Sequence, residues 1–141
     1  MVVVDANVLL YAVDGASAHH EQSRGWLDAS LAGREAVGLS WIALLAFIRV
    51  GTNASILPTP MTADQATGQV EQWLAAPAAV IAHPTPRHVS LLRGLLRDTG
   101  TAGNLTTDAH LAALALEHGA DIVSYDRDFA RFPGVRHRLP A

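Results

Sequence analysis

At 141 residues, with half of them hydrophobic and 16% charged, the chain has the make-up of one globular domain with a buried core, not of a disordered segment. It has no cysteine, which excludes disulfides and thiolate metal sites, and all ten of its basic residues are arginine, which excludes any mechanism that needs a lysine ammonium group. A net charge of −3 argues against a uniformly basic nucleic-acid binder but leaves room for a locally basic groove.

The first element is the β-branched run Val2–Val4, read as a buried strand. Residues Asn7 to Ala16 carry apolar side chains at helical spacing and stop near Gly15. His19 to Leu31 reads as a second, more polar helix, and Ala36–Leu39 as a second strand. Trp41 to Thr52 is a largely apolar helix closed by Gly51, with Trp41 and Phe47 expected in the core. Two prolines break the segment ILPTPMT. Thr62 then caps a helix running to about Ala76, with Gln65 three residues on completing a capping-box pattern. Ala79–Ala82 is a third strand and Pro86–Asp98 an amphipathic helix. GTAGNL is a glycine-rich loop, after which Thr107 is expected to cap a helix ending at Gly119. Asp121–Ser124 is a fourth strand. The tail is irregular, with room for one helical turn and a last short strand near Val135. The amino-terminal stretch has neither a basic leader nor a long apolar segment, so no signal peptide or membrane helix is expected.

Strands that alternate with helices point to an α/β fold, a three-layer α/β/α sandwich around a central parallel sheet of four to five strands. A single domain spanning residues 1–141 is expected, with no repeat or linker. In such sheets the functional crevice lies beyond the carboxyl ends of the strands. Asp5 follows the first strand, Asp126 and Asp128 follow the fourth, and Asp108 stands in the first turn of a helix. They can therefore meet in space.

Clustered carboxylates repel one another, so a cation is the natural counter-charge, and all-oxygen ligands suit Mg²⁺ and Mn²⁺. Such an ion activates water and steadies a phosphate. Taken singly, each acid also has an ordinary explanation: Asp5 as a helix cap, Asp108 as a dipole partner, Asp126 and Asp128 as turn formers. Asn7, Asn104, Ser124, Thr106 and Thr107 can either orient metal-bound water or serve turns and caps. The seven histidines suggest no zinc site: His19 and His20 point apart, and His110 and His118 lack a third ligand. Arg127, Arg131, Arg136, Arg138 and His137 crowd the tail beside the acids, as either phosphate-binding groups or a solvated edge.

The blocks VVVDANVLLY and TTDAHLAALALEHGADIVSYDRDFARFPG, with SWIALLAFIRVGTN between them, resemble PIN-domain proteins of the VapC toxin type over essentially the whole chain. The resemblance implies a Mg²⁺- or Mn²⁺-dependent endoribonuclease that cuts structured RNA such as tRNA or an rRNA loop. It implies a cognate antitoxin that blocks the acidic site, a toxin homodimer, and a place in the bacterial cytoplasm away from membranes. It puts Asp5, Asp108 and Asp126 on the family's metal-binding acids, Asp128 on a less regular acidic position, and Ser124 where a hydroxyl is frequent. Arg127 and Arg131 are the arginines placed to bind substrate phosphates. One departure stands out. Where many members carry a glutamate, this chain has Ala46, and Glu21, Glu35, Glu71 and Glu117 lie elsewhere in the pattern. The alternative to a nuclease is therefore a PIN-like module that binds RNA or antitoxin without cutting. A phosphotransfer enzyme is the less favoured reading, because Asn7 replaces its second aspartate and no lysine is present.

Overall fold

The computed structural model describes residues 1–100 and 103–141, apart from the side chain of Asn104. Among these residues, five short strands, β1 (Val2–Val4), β2 (Val37–Leu39), β3 (Ala79–Ile81), β4 (Asp121–Val123) and β5 (His137–Arg138), form one sheet in the order β3-β2-β1-β4-β5, with every pairing parallel. Among the described residues, six helices surround it: α1 (Ala6–Val13), α2 (His20–Leu31), α3 (Trp41–Gly51), α4 (Ala63–Leu74), α5 (His88–Thr99) and α6 (Thr106–Glu117).

The three valines of β1 show why the run is unbroken. Val2 and Val4 pack into one core with side chains of α1 to α4, while Val3 faces a second core built by α5, α6, Phe129 and Phe132. A central strand covered on both faces has no solvent side for a polar residue. The α/β/α sandwich expected from the sequence is present, with the sheet at the upper end of its expected strand count.

Local chemistry sets most boundaries. Thr62 caps α4 by accepting the Gln65 N–H at 3.1 Å, and the Gln65 side chain accepts the Thr62 N–H at 3.0 Å, so the capping box is real. Replacing Thr62 by alanine should cost about 1 kcal/mol, read as a lower urea midpoint with an unchanged slope. Helix α5 ends on Gly100, whose left-handed φ of 76° any side chain would resist.

Two expectations, Thr107 as a cap and Trp41 in the core, need correction. Thr107 caps nothing: a 3₁₀ turn over Gly103–Leu105 runs straight into α6, so the chain enters the helix already coiled and Thr107 lies inside it. Thr101 and Ala102 of the glycine-rich loop fall outside the described residues. The short last strand expected near Val135 forms at His137–Arg138, because the Val135 N–H is tied back to Phe132 and sheet pairing starts only at Arg136. Trp41 is 45% exposed rather than in the core, whereas Phe47 is fully buried and meets the Trp73 ring at 4.8 Å. Among the described residues, no helix is long and apolar enough to cross a membrane.

Candidate active site

The strand order dictates where a site can form. The chain builds outward from β1 through β2 to β3, then returns to place β4 on the other side of β1. The switch lies between the carboxyl ends of β1 and β4, where neighbouring connections leave on opposite faces and open a crevice. The residue after β1 is Asp5, and the residues after β4 are Ser124, Tyr125 and Asp126.

Asp5 is both a cap and more than a cap. Its extended backbone ends β1, and its Oδ1 accepts the Ala6 N–H at 2.7 Å at the start of α1. Its Oδ2 reaches across the switch instead, accepting the Ser124 hydroxyl at 2.7 Å and the Asn7 amide at 3.3 Å. Ser124 is fully buried, and its Oγ also accepts from Asn7 Nδ2 at 3.1 Å and from the Asp126 N–H at 2.9 Å. Asn7 Oδ1 accepts the Tyr125 N–H at 3.2 Å. Asn7 and Ser124, both expected as supporting groups, therefore lock the orientation of Asp5. Asp126 forms a turn as well, accepting the Asp128 N–H at 2.9 Å. Behind the turn, His137 Nε2 donates to the Ser124 carbonyl at 2.8 Å, which fixes that ring's tautomer.

Asp108, in the first turn of α6, completes the acidic set. Burial raises its pKa to about 6, helped by the negative charges of Asp5, Asp126 and Asp128 and opposed by Arg131. Asp5 is raised too, by burial first and by Asp126, against hydrogen bonds from Ser124 and Ala6. The four carboxylates thus share one field that is short of positive charge, which is the electrostatic condition for binding a cation. They do not close into a full cage: among the described residues, no group of three His, Asp or Glu side chains is arranged to hold a metal ion. An open set still fits Mg²⁺, which keeps several waters and takes only one or two carboxylates.

A cavity of about 40 Å³ lies between Asp5 and Asp108, walled by Ile42, Ala43, Ala46, Thr107 and Leu111. A glutamate at position 46 would enter this space. Of the polar residues expected to help, Thr107 reaches the cavity wall and Thr106 is exposed, while the side chain of Asn104 lies outside the described residues.

The tail arginines divide into two groups. Arg136 pairs with Asp121, and Arg138 with Glu35 at 2.8 Å and Asp121 at 3.7 Å, near the amino ends of β2 and β4 and so away from the crevice. Arg127 and Arg131 stand exposed on the 3₁₀ turn that follows Asp126, and neither forms an ion pair among the described residues. The histidines are spent elsewhere. His118 Nε2 donates to the His83 carbonyl, His110 meets His88 and, through it, Glu117, and His19 stacks on Tyr125. Sequence reasoning missed the His88–Glu117 pair and the Tyr125 stacking, because both join residues far apart in the chain with no local signal.

A family model of the PIN domain matches residues 2–135. Ribonuclease VapC37 of Mycobacterium tuberculosis is 54% identical over 140 residues, covering 99% of this chain and 97% of that protein. Ribonuclease VapC33 of the same species is 38% identical, covering 99% and 98%. Among solved structures, VapC20 of M. tuberculosis, described as a toxin that cleaves the sarcin–ricin loop, superposes with a TM-score of 0.69 at 16% identity, covering 96% of this chain and 99% of that one. VapBC2 of Rickettsia felis, solved bound to a promoter DNA fragment, gives a TM-score of 0.70 at 20% identity, covering 99% and 98%. A toxin–antitoxin complex of Klebsiella pneumoniae gives 0.65 at 16%, covering 100% and 98%. At these identities the structural likeness is one of fold.

Proposed function

The chain belongs to the PIN domain family, with VapC ribonucleases as its full-length relatives, and from that premise we propose that it is an endoribonuclease and the toxin of a toxin–antitoxin pair. Ribonucleases of this family depend on divalent metal ions. For this chain the ion is Mg²⁺, with Mn²⁺ able to substitute. The observation that carries the reading is the convergence of Asp5, Asp108, Asp126 and Asp128 at the switch point, with Asp5 and Asp108 held above the usual carboxylate range. Asp5, Asp108 and Asp126 are the candidate ligands, of which one or two would hold the ion directly and the rest through its waters, with Asp128 at the rim. When bound, the ion supplies Lewis acidity at phosphorus and an activated water. Ser124 and Asn7 keep Asp5 aimed at the crevice, and Arg127 and Arg131 grip the flanking phosphates.

The substrate in this reading is structured RNA, a tRNA or an rRNA loop, met in the bacterial cytoplasm. The partners are a cognate antitoxin that covers the acidic crevice and a second copy of the toxin. Residues 1–141 act as one domain. A second reading, a module that binds RNA or antitoxin without cutting, draws on Ala46 and on the open arrangement of the acids.

The test is incubation of purified protein with total bacterial RNA in Mg²⁺, in Mn²⁺ and in EDTA. Discrete fragments that need metal are the expected result, and end-mapping then names the target. Intact RNA in all three, from folded protein that still binds RNA, would favour the second reading.

A further inference from the structure

Three aromatic rings gather beside the acidic crevice and take no part in the chemistry described so far. Tyr125 sits between Ser124 and Asp126 in the chain, so its ring starts one residue from a proposed metal ligand. Its phenol oxygen is fixed 2.8 Å from the Oγ of buried Ser23 on α2. The exposed ring of His19 stacks on it, with centroids 4.3 Å apart and planes at 30°. Tyr11 closes the triangle at 5.4 Å from both rings. Tyr11 lies one helical turn after Asn7 on α1, on the face that reaches toward the Ser124–Asp126 segment. The cluster is partly open to solvent, and its outermost member, His19, makes no capping bond to α2.

The charge distribution gives this cluster a role. A chain with no lysine and a net charge of −3 has a weak general hold on a phosphate backbone. Two of the tail arginines are already engaged with Asp121 and Glu35, leaving Arg127 and Arg131 at the crevice. Binding of RNA then needs a contribution that is not charge. Aromatic faces supply it, because every unpaired base has a π-face to stack, and looped or unstacked RNA presents such bases. Tyr125 ties the cluster to the segment that carries Ser124 and Asp126, and its N–H is bound by Asn7 beside Asp5.

We propose that Tyr11, His19 and Tyr125 form a nucleobase-stacking platform that holds an unpaired RNA base immediately beside the phosphate to be cut. The inference rests on the ribonuclease reading above and assigns it a base-binding subsite.

The test uses the full chain carrying Asp108→Asn, so that RNA is not consumed, with Mg²⁺ present and fluorescence anisotropy as readout. The ligand is a short RNA spanning the mapped cut, together with a series in which each nucleotide in turn is abasic. One abasic position beside the cut should weaken binding about tenfold, the size expected for one lost stacking contact. Adding His19→Ala should weaken intact RNA by a similar factor and abolish the penalty at that one position, with the thermal midpoint unchanged. Tyr11→Leu is the second variant and should act in the same direction. The platform is overturned if His19→Ala and Tyr11→Leu bind intact RNA as their parent does, or if the abasic penalty persists in both. Failure of the Asp108→Asn parent to bind any RNA would instead sink the ribonuclease reading, and the platform with it.

Discussion

Asp108→Asn should lower RNA cleavage by at least about 100-fold, and the same change should make the metal-free protein more stable. The first effect follows from the proposed role of Asp108 as a metal ligand, since loss of groups that only orient ligands already costs about 10–100-fold. The second follows from the field of the site. Asp108 titrates at about 6 against an ordinary 3.8, because of burial and then the charges of Asp5, Asp126 and Asp128. A raised carboxylate contributes stability that is fully present below the ordinary value and is lost as pH rises through the folded one. Near neutral pH the ionised group therefore strains the metal-free fold. The full shift would correspond to about 3 kcal/mol at 1.36 kcal/mol per unit. Asp108 is only partly buried, so solvent screening reduces this to about 1 kcal/mol. Thermal melts in EDTA at pH 7.5 should place the variant above the parent, and the gap should close by about pH 4. Mg²⁺ should raise the midpoint of the parent and leave the variant nearly where it was. A variant that melts lower than its parent at pH 7.5 in EDTA, or that cleaves RNA undiminished, refutes the account.

Glu117→Ala should destabilise the fold by about 3 kcal/mol or more without touching the crevice. The Glu117 side chain has no solvent exposure. Its Oε1 accepts the Thr85 N–H at 2.8 Å and the Thr85 hydroxyl at 2.6 Å, and its Oε2 meets His88 Nδ1 at 2.6 Å. His88 Nε2 continues to His110 Nδ1 at 2.8 Å, so one carboxylate organises the start of α5 against α6. Removing one partner of a buried charged network leaves the others desolvated and unmatched, which costs about 3–5 kcal/mol. Burial pushes the Glu117 carboxyl up, but the donors from Thr85 and His88 outweigh it and hold it below the usual range. His110 is also depressed, by burial and then by His88. Both shifts have the same sign. The stability from His110 is present above 6.5 and lost as pH falls below it, and that from Glu117 is present above 4.5 and lost as pH falls below that. Urea titrations of Asp108→Asn, which silences one of the two raised carboxylates and leaves only Asp5 opposing the trend, should show stability falling on acidification from pH 7.5 to 4. Adding Glu117→Ala should flatten the lower part of that fall. An unchanged midpoint for Glu117→Ala at pH 7.5 would show that the network carries no stability.

Much of the fold was legible because its signals are local. The capping box at Thr62 and Gln65 needs four residues, and the buried central strand needs only the run of three valines. The alternation of strand and helix was enough to place Asp5, Asp108 and Asp126 at one edge of one sheet. What escaped was set by partners far away or by context. Thr107 has the chemistry of a cap, but a preceding 3₁₀ turn made a cap unnecessary. Trp41 belongs to an apolar helix, but only the face bearing Ala43, Leu44 and Phe47 meets the core. The tail arginines looked alike in sequence. Pairing with Asp121 and Glu35 separated Arg136 and Arg138 from the two that stay at the crevice. Nothing near Glu117 announces its bonds to His88 and Thr85, which lie 29 and 32 residues away.

The hydrogen bond from Ser124 to Asp5 spans 119 positions of the chain. During synthesis, β1 leaves the ribosome long before β4 and waits with one edge bare until that neighbour is made. Until then Asp5 has no Ser124 to aim it and no Asp126 across from it. A growing chain therefore lacks the proposed site until Ser124 and Asp126 have been made. A stop ahead of Ser124 would remove Ser124, Asp126 and Asp128 together, so on the proposed reading a late nonsense mutation disarms the protein as fully as an early one.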